Sequence, residues 1–154
     1  ISEKLLEQTG VIGEKLVVGN FEKLSSNYVG KYIHAGNKIA TLSGLSLNID
    51  GIEEVSKNIA MQAAAMNPIA LDENGVDKQT IDKEIEIAKD QLRQEGKPEG
   101  MLDNIAKGKL KRFFKDNTLI NQDFIKDNKQ SVSAYIKSFN EELKVVGFKR
   151  VSLL

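Results

Sequence analysis

The chain has 154 residues, 40% of them hydrophobic, and its 22 basic side chains balance 22 acidic ones; that length suits one domain with a real core, with room for an appendage. Zero net charge argues against a protein whose main work is coating nucleic acid or an anionic membrane. The absence of cysteine excludes disulfides, thiolate nucleophiles and zinc–thiolate sites, and a single histidine, His34, excludes a multi-histidine metal centre.

Residues 2–9 read as the last turns of a helix closed by Gly10, so the chain is expected to open inside a helix and to be cut from a longer one. No apolar run approaches the ~18 residues that span a bilayer. Residues 16–21 form a strand candidate, followed by a turn at Ser25-Ser26-Asn27. Residues 28–34 are rich in aromatic and β-branched side chains and predict a strand. Ala35-Gly36-Asn37 is a short hairpin loop, and 38–43 is the returning strand. Asp50 is placed to cap a helix in which Ile52, Val55, Ile59, Ala63 and Met66 form the buried face. Ala60 and Ala64 would let that helix approach a sheet closely, and Asn67-Pro68 ends it. Met61 and Met66 are expected in the core.

Residues 77–117 then predict two helices folded back on each other. Ile81, Ile85, Ala88 and Leu92 leave one narrow apolar stripe on the first arm, and Leu102, Ile105 or Ala106, Leu110 and Phe113 leave another on the second. A stripe this thin buries itself only against another thin stripe, as in an antiparallel coiled-coil hairpin with arms of roughly 25 Å. Gly96-Lys97-Pro98 stops the first helix and starts the second. After the hairpin, 119–125 reads as irregular or a short strand, 131–137 as a short helix and 143–151 as a closing strand. The expected fold is α+β: a small antiparallel sheet with helices packed on one face and a protruding helical hairpin.

Few residues invite chemistry. His34, at a strand end beside a flexible loop, is either an exposed imidazole that donates to a partner or a half-buried side chain that holds the turn. The basic run Lys107, Lys109, Lys111, Arg112 and Lys115 either binds phosphates or forms a solvated face; it has no interleaved aromatics. Carboxylate neighbours such as Glu53-Glu54 lie on exposed helix, with no apolar pocket to make one of them an acid. No nucleophile–base–orienter set can be built around one histidine, and no cofactor or metal site is read. These features describe an interaction module, either a docking lobe or an autonomous dimerisation module, in place of an enzyme.

Several segments resemble bacterial translation elongation factor Ts, over essentially the whole chain. Ile12-Gly13-Glu14 is similar to the family's Ile-Gly-Glu-Asn segment. The stretch from Gly30 through Tyr32, His34, Gly36 and Lys38 to Ile39 resembles its Gly-x-Tyr-x-His-x-Gly-x-Lys/Arg-Ile hairpin. Ile59-Ala60-Met61-Gln62-Ala63-Ala64-Ala65-Met66-Asn67-Pro68 resembles its Ile-Ala-Met-x-x-Ala-Ala-x-x-Pro helix, and Gln122-Asp123-Phe124-Ile125 its Gln-x-Phe-Val stretch. Order and spacing together carry the match.

The resemblance implies a cytoplasmic protein that grips elongation factor Tu with GDP bound, distorts the nucleotide and Mg²⁺ site, and so lets GTP replace GDP. It implies a division into residues 1–13, the tail of a truncated N-terminal lobe; 14–76 with 118–154, a core lobe; and 77–117, the coiled-coil insert. It assigns Ile12 and Gly13 to contact with the GTPase domain of Tu, and His34, Ile125 and Lys126 to contact with its third domain. Lys126 stands where methionine is found in the family, so that contact departs from an apolar one. Lys38-Ile39-Ala40-Thr41-Leu42 departs from the family's Gly-Arg-Ile-Gly-Val-Leu run. The family's Thr-Asp-Phe-Val motif, whose phenylalanine intrudes near Mg²⁺, has no counterpart in these residues. The expectation is therefore a lobe that docks on Tu without opening the nucleotide site, with a homodimer as the alternative and no direct contact with nucleic acid or membrane.

Overall fold

The computed structural model describes residues 1–153; Leu154, the last residue of the expected 118–154 segment, lies outside the described residues. In chain order come α1 (Ser2–Ile12), β1 (Tyr28–Ile33), β2 (Ile39–Leu45) and α2 (Ile52–Met66). A 3₁₀ turn at Glu73–Gly75 precedes α3 (Lys78–Gln94) and α4 (Glu99–Asn117). The chain ends in β3 (Asp123–Phe124), β4 (Asp127–Ser131), α5 (Val132–Phe139) and β5 (Val145–Ser152). The fold is α+β, with a three-stranded antiparallel sheet in the order β1-β2-β5 and a separate β3-β4 pair.

The sheet's two faces differ because the side-chain period of a strand is two. One face carries the row Gly30–Ser43–Phe148 and the row Tyr32–Thr41–Arg150, and α2 lies across it. Hydroxyls of the sheet donate to carbonyls of the helix: Thr41 Oγ1 to Ala60 O and Ser43 Oγ to Ser56 O, each at 2.7 Å. Such bonds require the helix backbone to come close, which Ser56, Ala60, Ala63 and Ala64, all buried, permit. Behind α2 the core continues through Ile52, Val55, Ile59, Leu119, Phe124, Val132, Ile136 and Leu143.

The opposite face carries Lys31–Leu42–Lys149 and Ile33–Ala40–Val151. With Phe21 these residues line a groove of about 300 Å³. Lys149 reaches Glu22 at 3.0 Å across its rim.

Leu92 and Leu102 at 2% exposure, Ala88 at 6% and Ala106 at 1% make the seam between α3 and α4, while Ile81, Ile85, Leu110 and Phe113 are half-buried. The first arm ends in a Schellman turn: Lys97 N–H donates to Leu92 O and Gly96 N–H to Arg93 O, both at 3.0 Å, with Gly96 at φ +75°.

The structure corrects several sequence expectations. Helix α1 runs through Gly10 and is closed instead by Gly13, whose N–H donates to Thr9 O; the next turn is reinforced by Leu16 N–H on Thr9 Oγ1. Residues 16–21 join no sheet: Val17, Val18 and Phe21 are exposed and pair with no strand. Asp50 does not cap α2, because Gly51 in the left-handed region intervenes and no side chain bonds the first turn. Met66 is 46% exposed, since Asn67 ends the helix immediately after it. Residues 127–131, not expected as a strand, pair with β3.

A methyl group at Gly30 would sit 2.5 Å from Ser56 Cβ and 2.7 Å from its carbonyl carbon, whereas one at Gly10 would meet nothing within 4 Å. Gly30→Ala is expected to destabilise the fold by about 1–3 kcal/mol. The check is a lowered urea midpoint at unchanged m-value, with Gly10→Ala as a control that does not lower it.

Candidate partner-docking site

His34 follows the last residue of β1. Its backbone closes the β1–β2 turn: the N–H donates to Ile39 O at 2.9 Å and the carbonyl accepts from Asn37 N–H at 3.0 Å. The side chain is exposed and not half-buried, so the backbone holds the turn and the imidazole faces solvent. It is not free to rotate without cost. Tyr32 Oη lies 3.1 Å from His34 Nδ1, on the same side of the strand. When the phenol donates to Nδ1, the neutral ring carries its proton on Nε2 and offers it outward.

Ile125 and Lys126 form the two-residue connection of the β3–β4 pair, where Phe124 faces Asp127. Ile125 is 39% exposed and Lys126 is exposed, so an apolar side chain and a cation stand side by side at the tip. Neither residue has positive φ, so the turn is not of the primed kind that a tight hairpin favours, and the register slips between Asp123 and Phe124. Its shape is held from outside: Gln62 Oε1 accepts from Ile125 N–H at 2.9 Å. Phe124 anchors the base, stacked on Tyr135 at 4.1 Å between ring centroids.

The two turns lie toward the same end of α2. Thr41, the partner of Tyr32, bonds Ala60, and Arg150, the partner of Thr41, bonds Ala64 O at 3.4 Å. The His34 end of the sheet is therefore beside the C-terminal half of α2, the half that also carries Gln62. Ile12 and Gly13 are not brought into this group. Ile12 is 54% exposed at the end of α1, a helix with no buried residue, and Gly13 stands at φ +80° as its cap.

The sequence reading missed Tyr32 as a support for His34, and Gln62 as a support for the second turn. Gln62 had a legible signal: a glutamine among alanines on the inner side of a helix, at 0% exposure. A buried amide is found where it has partners to bond.

The hairpin offers charge. Lys89 crosses to Asp103 at 2.9 Å, Arg93 reaches both Asp90 at 2.6 Å and Glu99 at 3.0 Å, and Lys109 bonds Gln91 at 3.1 Å. The hydrogen bond and charge of Lys89 hold the Asp103 carboxyl below its ordinary value, and Asp103 in turn raises Lys89. Asp77 at the start of α3 is lowered chiefly by its hydrogen bonds from the Thr80 hydroxyl and N–H. Part of the basic run is engaged within the chain, Arg112 with Asp116 and Lys115 with Asp123. Among the described residues no group of three or more histidines and carboxylates could hold a metal ion, and no helix is long and apolar enough to cross a membrane.

The described residues thus present two exposed turns on a packed lobe, with a charged helical hairpin attached to it. The family model described as Elongation factor TS matches residues 1–153. The chain is 66% identical over 153 residues to "Elongation factor Ts" of Christiangramia forsetii and 67% identical over 153 residues to that of Flavobacterium psychrophilum; each alignment covers 99% of this chain and 56% of the relative. It is 44% identical over 155 residues to that of Cytophaga hutchinsonii, covering 99% of this chain and 55% of the relative. The chain belongs to the elongation factor Ts family and spans about half the length of these relatives.

The depressed carboxyl of Asp103 fixes a pH dependence. Its pairing with Lys89 contributes fully above the ordinary carboxylate value of 3.8 and is lost as pH falls through the lower folded value. Acidification is therefore expected to loosen the α3–α4 seam near Lys89 in that window, and Asp103→Asn to remove this acid step. The readout is the pH dependence of amide exchange in α3 and α4.

Proposed function

We propose that these residues are a Tu-docking lobe of a nucleotide exchange factor, acting in the cytoplasm by binding and not by bond-making. The observation that carries the reading is the pairing of His34 with Ile125 and Lys126, two exposed and braced contacts at one end of α2, in a chain of the elongation factor Ts family. His34 offers an N–H donor, Ile125 an apolar contact and Lys126 a cation to the third domain of Tu. Ile12 and Gly13 meet the GTPase domain. The residues divide as a tail (1–13), a lobe (14–76 with 118–154) and the hairpin insert (77–117).

Promotion of GDP release by the whole factor requires differential binding. A ligand shifts an equilibrium only by the difference between its affinities for the two states, and the coupling is reciprocal. A lobe that touches Tu away from the nucleotide binds the GDP-loaded and empty forms alike, and so leaves GDP affinity nearly unchanged. Asp123 and Phe124 do not supply an intruding motif: Phe124 is 3% exposed beneath Tyr135, and Asp123 is paired with Lys115.

The test is titration of this chain into Tu carrying a fluorescent GDP analogue, following binding and release together. Saturable binding with little acceleration of release is expected, and His34→Ala should weaken binding about tenfold, ~1.4 kcal/mol. Absence of binding at high concentration would overturn the docking reading.

A second reading rests on the outer sheet face. Ile33 is 59% exposed and Val29 37%, beside the groove lined by Phe21, Leu42 and Val151. Such a face suits a second copy of the chain. Light scattering distinguishes the two: twice 17.1 kDa, reverting to one copy with Ile33→Lys, would support self-association. A single copy at all concentrations would remove it.

A further inference from the structure

The turn at Ile125 and Lys126 is held by more than its own strands. Without positive φ and with a register slip at its base, it is not the primed turn that best matches a two-residue hairpin. Two buried amides brace it, Gln62 directly and Gln122 through Gln62. Gln62 Oε1 accepts from Ile125 N–H at 2.9 Å, and Gln62 Nε2 donates to Asp123 O at 3.1 Å, so one side chain grips the turn's backbone on both sides of Phe124. The same Nε2 lies 3.2 Å from Gln122 Oε1. Gln122 Nε2 donates to Asp116 O at 3.1 Å, in the last turn of α4.

Both side chains are sealed from water, Gln62 at 0% and Gln122 at 1% exposure, and no buried side-chain polar atom among the described residues is left without a partner. The bonds thus branch from Gln62 of α2, to the turn on one side and through Gln122 to the hairpin root on the other. At the surface, Lys115 of α4 meets the Asp123 carboxylate at 3.0 Å and closes the same joint from outside. Thr118 and Leu119 complete it on the backbone, with Leu119 N–H on Ala70 O at 3.0 Å.

We propose that Gln62 and Gln122 are positioning residues: they set the docking turn and lock the root of the α3–α4 hairpin to it, so that a partner's contact with one is felt at the other. This rests on the reading of Ile125 and Lys126 as Tu contacts, although the joint itself does not. Neither glutamine touches the partner. Gln62 acts through the Ile125 N–H and the Asp123 carbonyl, and Gln122 through the Asp116 carbonyl. The polar partners stay buried when a glutamine is removed, so the turn must either strain or open to water to satisfy them. Opening would move Ile125 and leave the strands of the main sheet as they are.

Gln62→Met keeps length and volume while deleting every hydrogen bond. Gln122→Met deletes the bond to Asp116 O and the acceptor for Gln62 Nε2, and leaves the bonds of Gln62 to Ile125 N–H and Asp123 O in place. In this chain alone, Gln62→Met should raise amide exchange at Ile125 at least about tenfold while β1 and β2 amides are unchanged; Gln122→Met should raise exchange in the last turn of α4. Unchanged exchange at both places would overturn the proposal. If Gln62→Met fails to fold, Gln122→Met alone decides it.

With Tu, Gln62→Met should cost about tenfold in affinity, and the double variant Gln62→Met with Ile125→Ala should cost no more than the larger single one. Additive losses would mean that Gln62 does not act through the turn. Should His34→Ala and Ile125→Ala leave Tu binding intact, the docking reading fails, while the exchange experiment still judges the joint by itself.

Discussion

The structure depends on how closely α2 can lie against the sheet. At Gly30 the strand gives up its side chain to admit Ser56, and at Thr41 and Ser43 the sheet reaches into the helix backbone to bond carbonyls already used in the helix. Small residues on that side of α2 make the approach possible, and the approach fixes the helix's rotation as well as its distance. With that rotation set, Ile52, Val55 and Ile59 meet the core from Leu119, Val132 and Ile136, and Gln62 is carried to the side facing the hairpin root. One packing contact thus decides where the apolar core forms and where its buried amide must find partners.

That geometry explains the division of labour along the surface. The apolar core gives the lobe its stability and no specificity for a partner. The turns at His34 and at Ile125 are exposed features braced by neighbouring side chains, Tyr32 in one case and Gln62 in the other. Both belong to one end of α2, so a single rigid helix sets the distance between them. The hairpin is held by a thin seam and by exposed ion pairs such as Lys89 with Asp103, which are worth little individually in water. Its attachment to the lobe is polar and buried, through Gln122 and Asp116.

Much of this was legible in the sequence, for physical reasons that differ by element. The β1–β2 pair announced itself because aromatic and β-branched residues flank a Gly-Asn turn, and the helical hairpin because each arm has too little apolar surface to bury alone. Strand β4 was not legible: Asp127, Asn128, Lys129, Gln130 and Ser131 carry no alternation, and their pairing is imposed by tertiary contact and by the Asp127 side chain bonding Lys129 and Gln130. Residues 16–21 misled in the other direction, an apolar run that stays outside every sheet. The Asp50 cap failed because left-handed Gly51 comes between it and the helix. Of the site, His34 could be found by its chemistry and the resemblance. Gln62 stands out as a polar residue among alanines, but its partner Gln122 lies 60 residues away and no local pattern names it.

Hydrogen–deuterium exchange of the chain with and without Tu in its GDP form tests the central claim most directly, because it reads every surface at once. Protection concentrated at the His34 turn and at Ile125 and Lys126, with the outer face of the sheet unchanged, is the pattern this account predicts. Protection confined to the outer sheet face and the groove beside Phe21, with both turns exchanging as in the free chain, would contradict it.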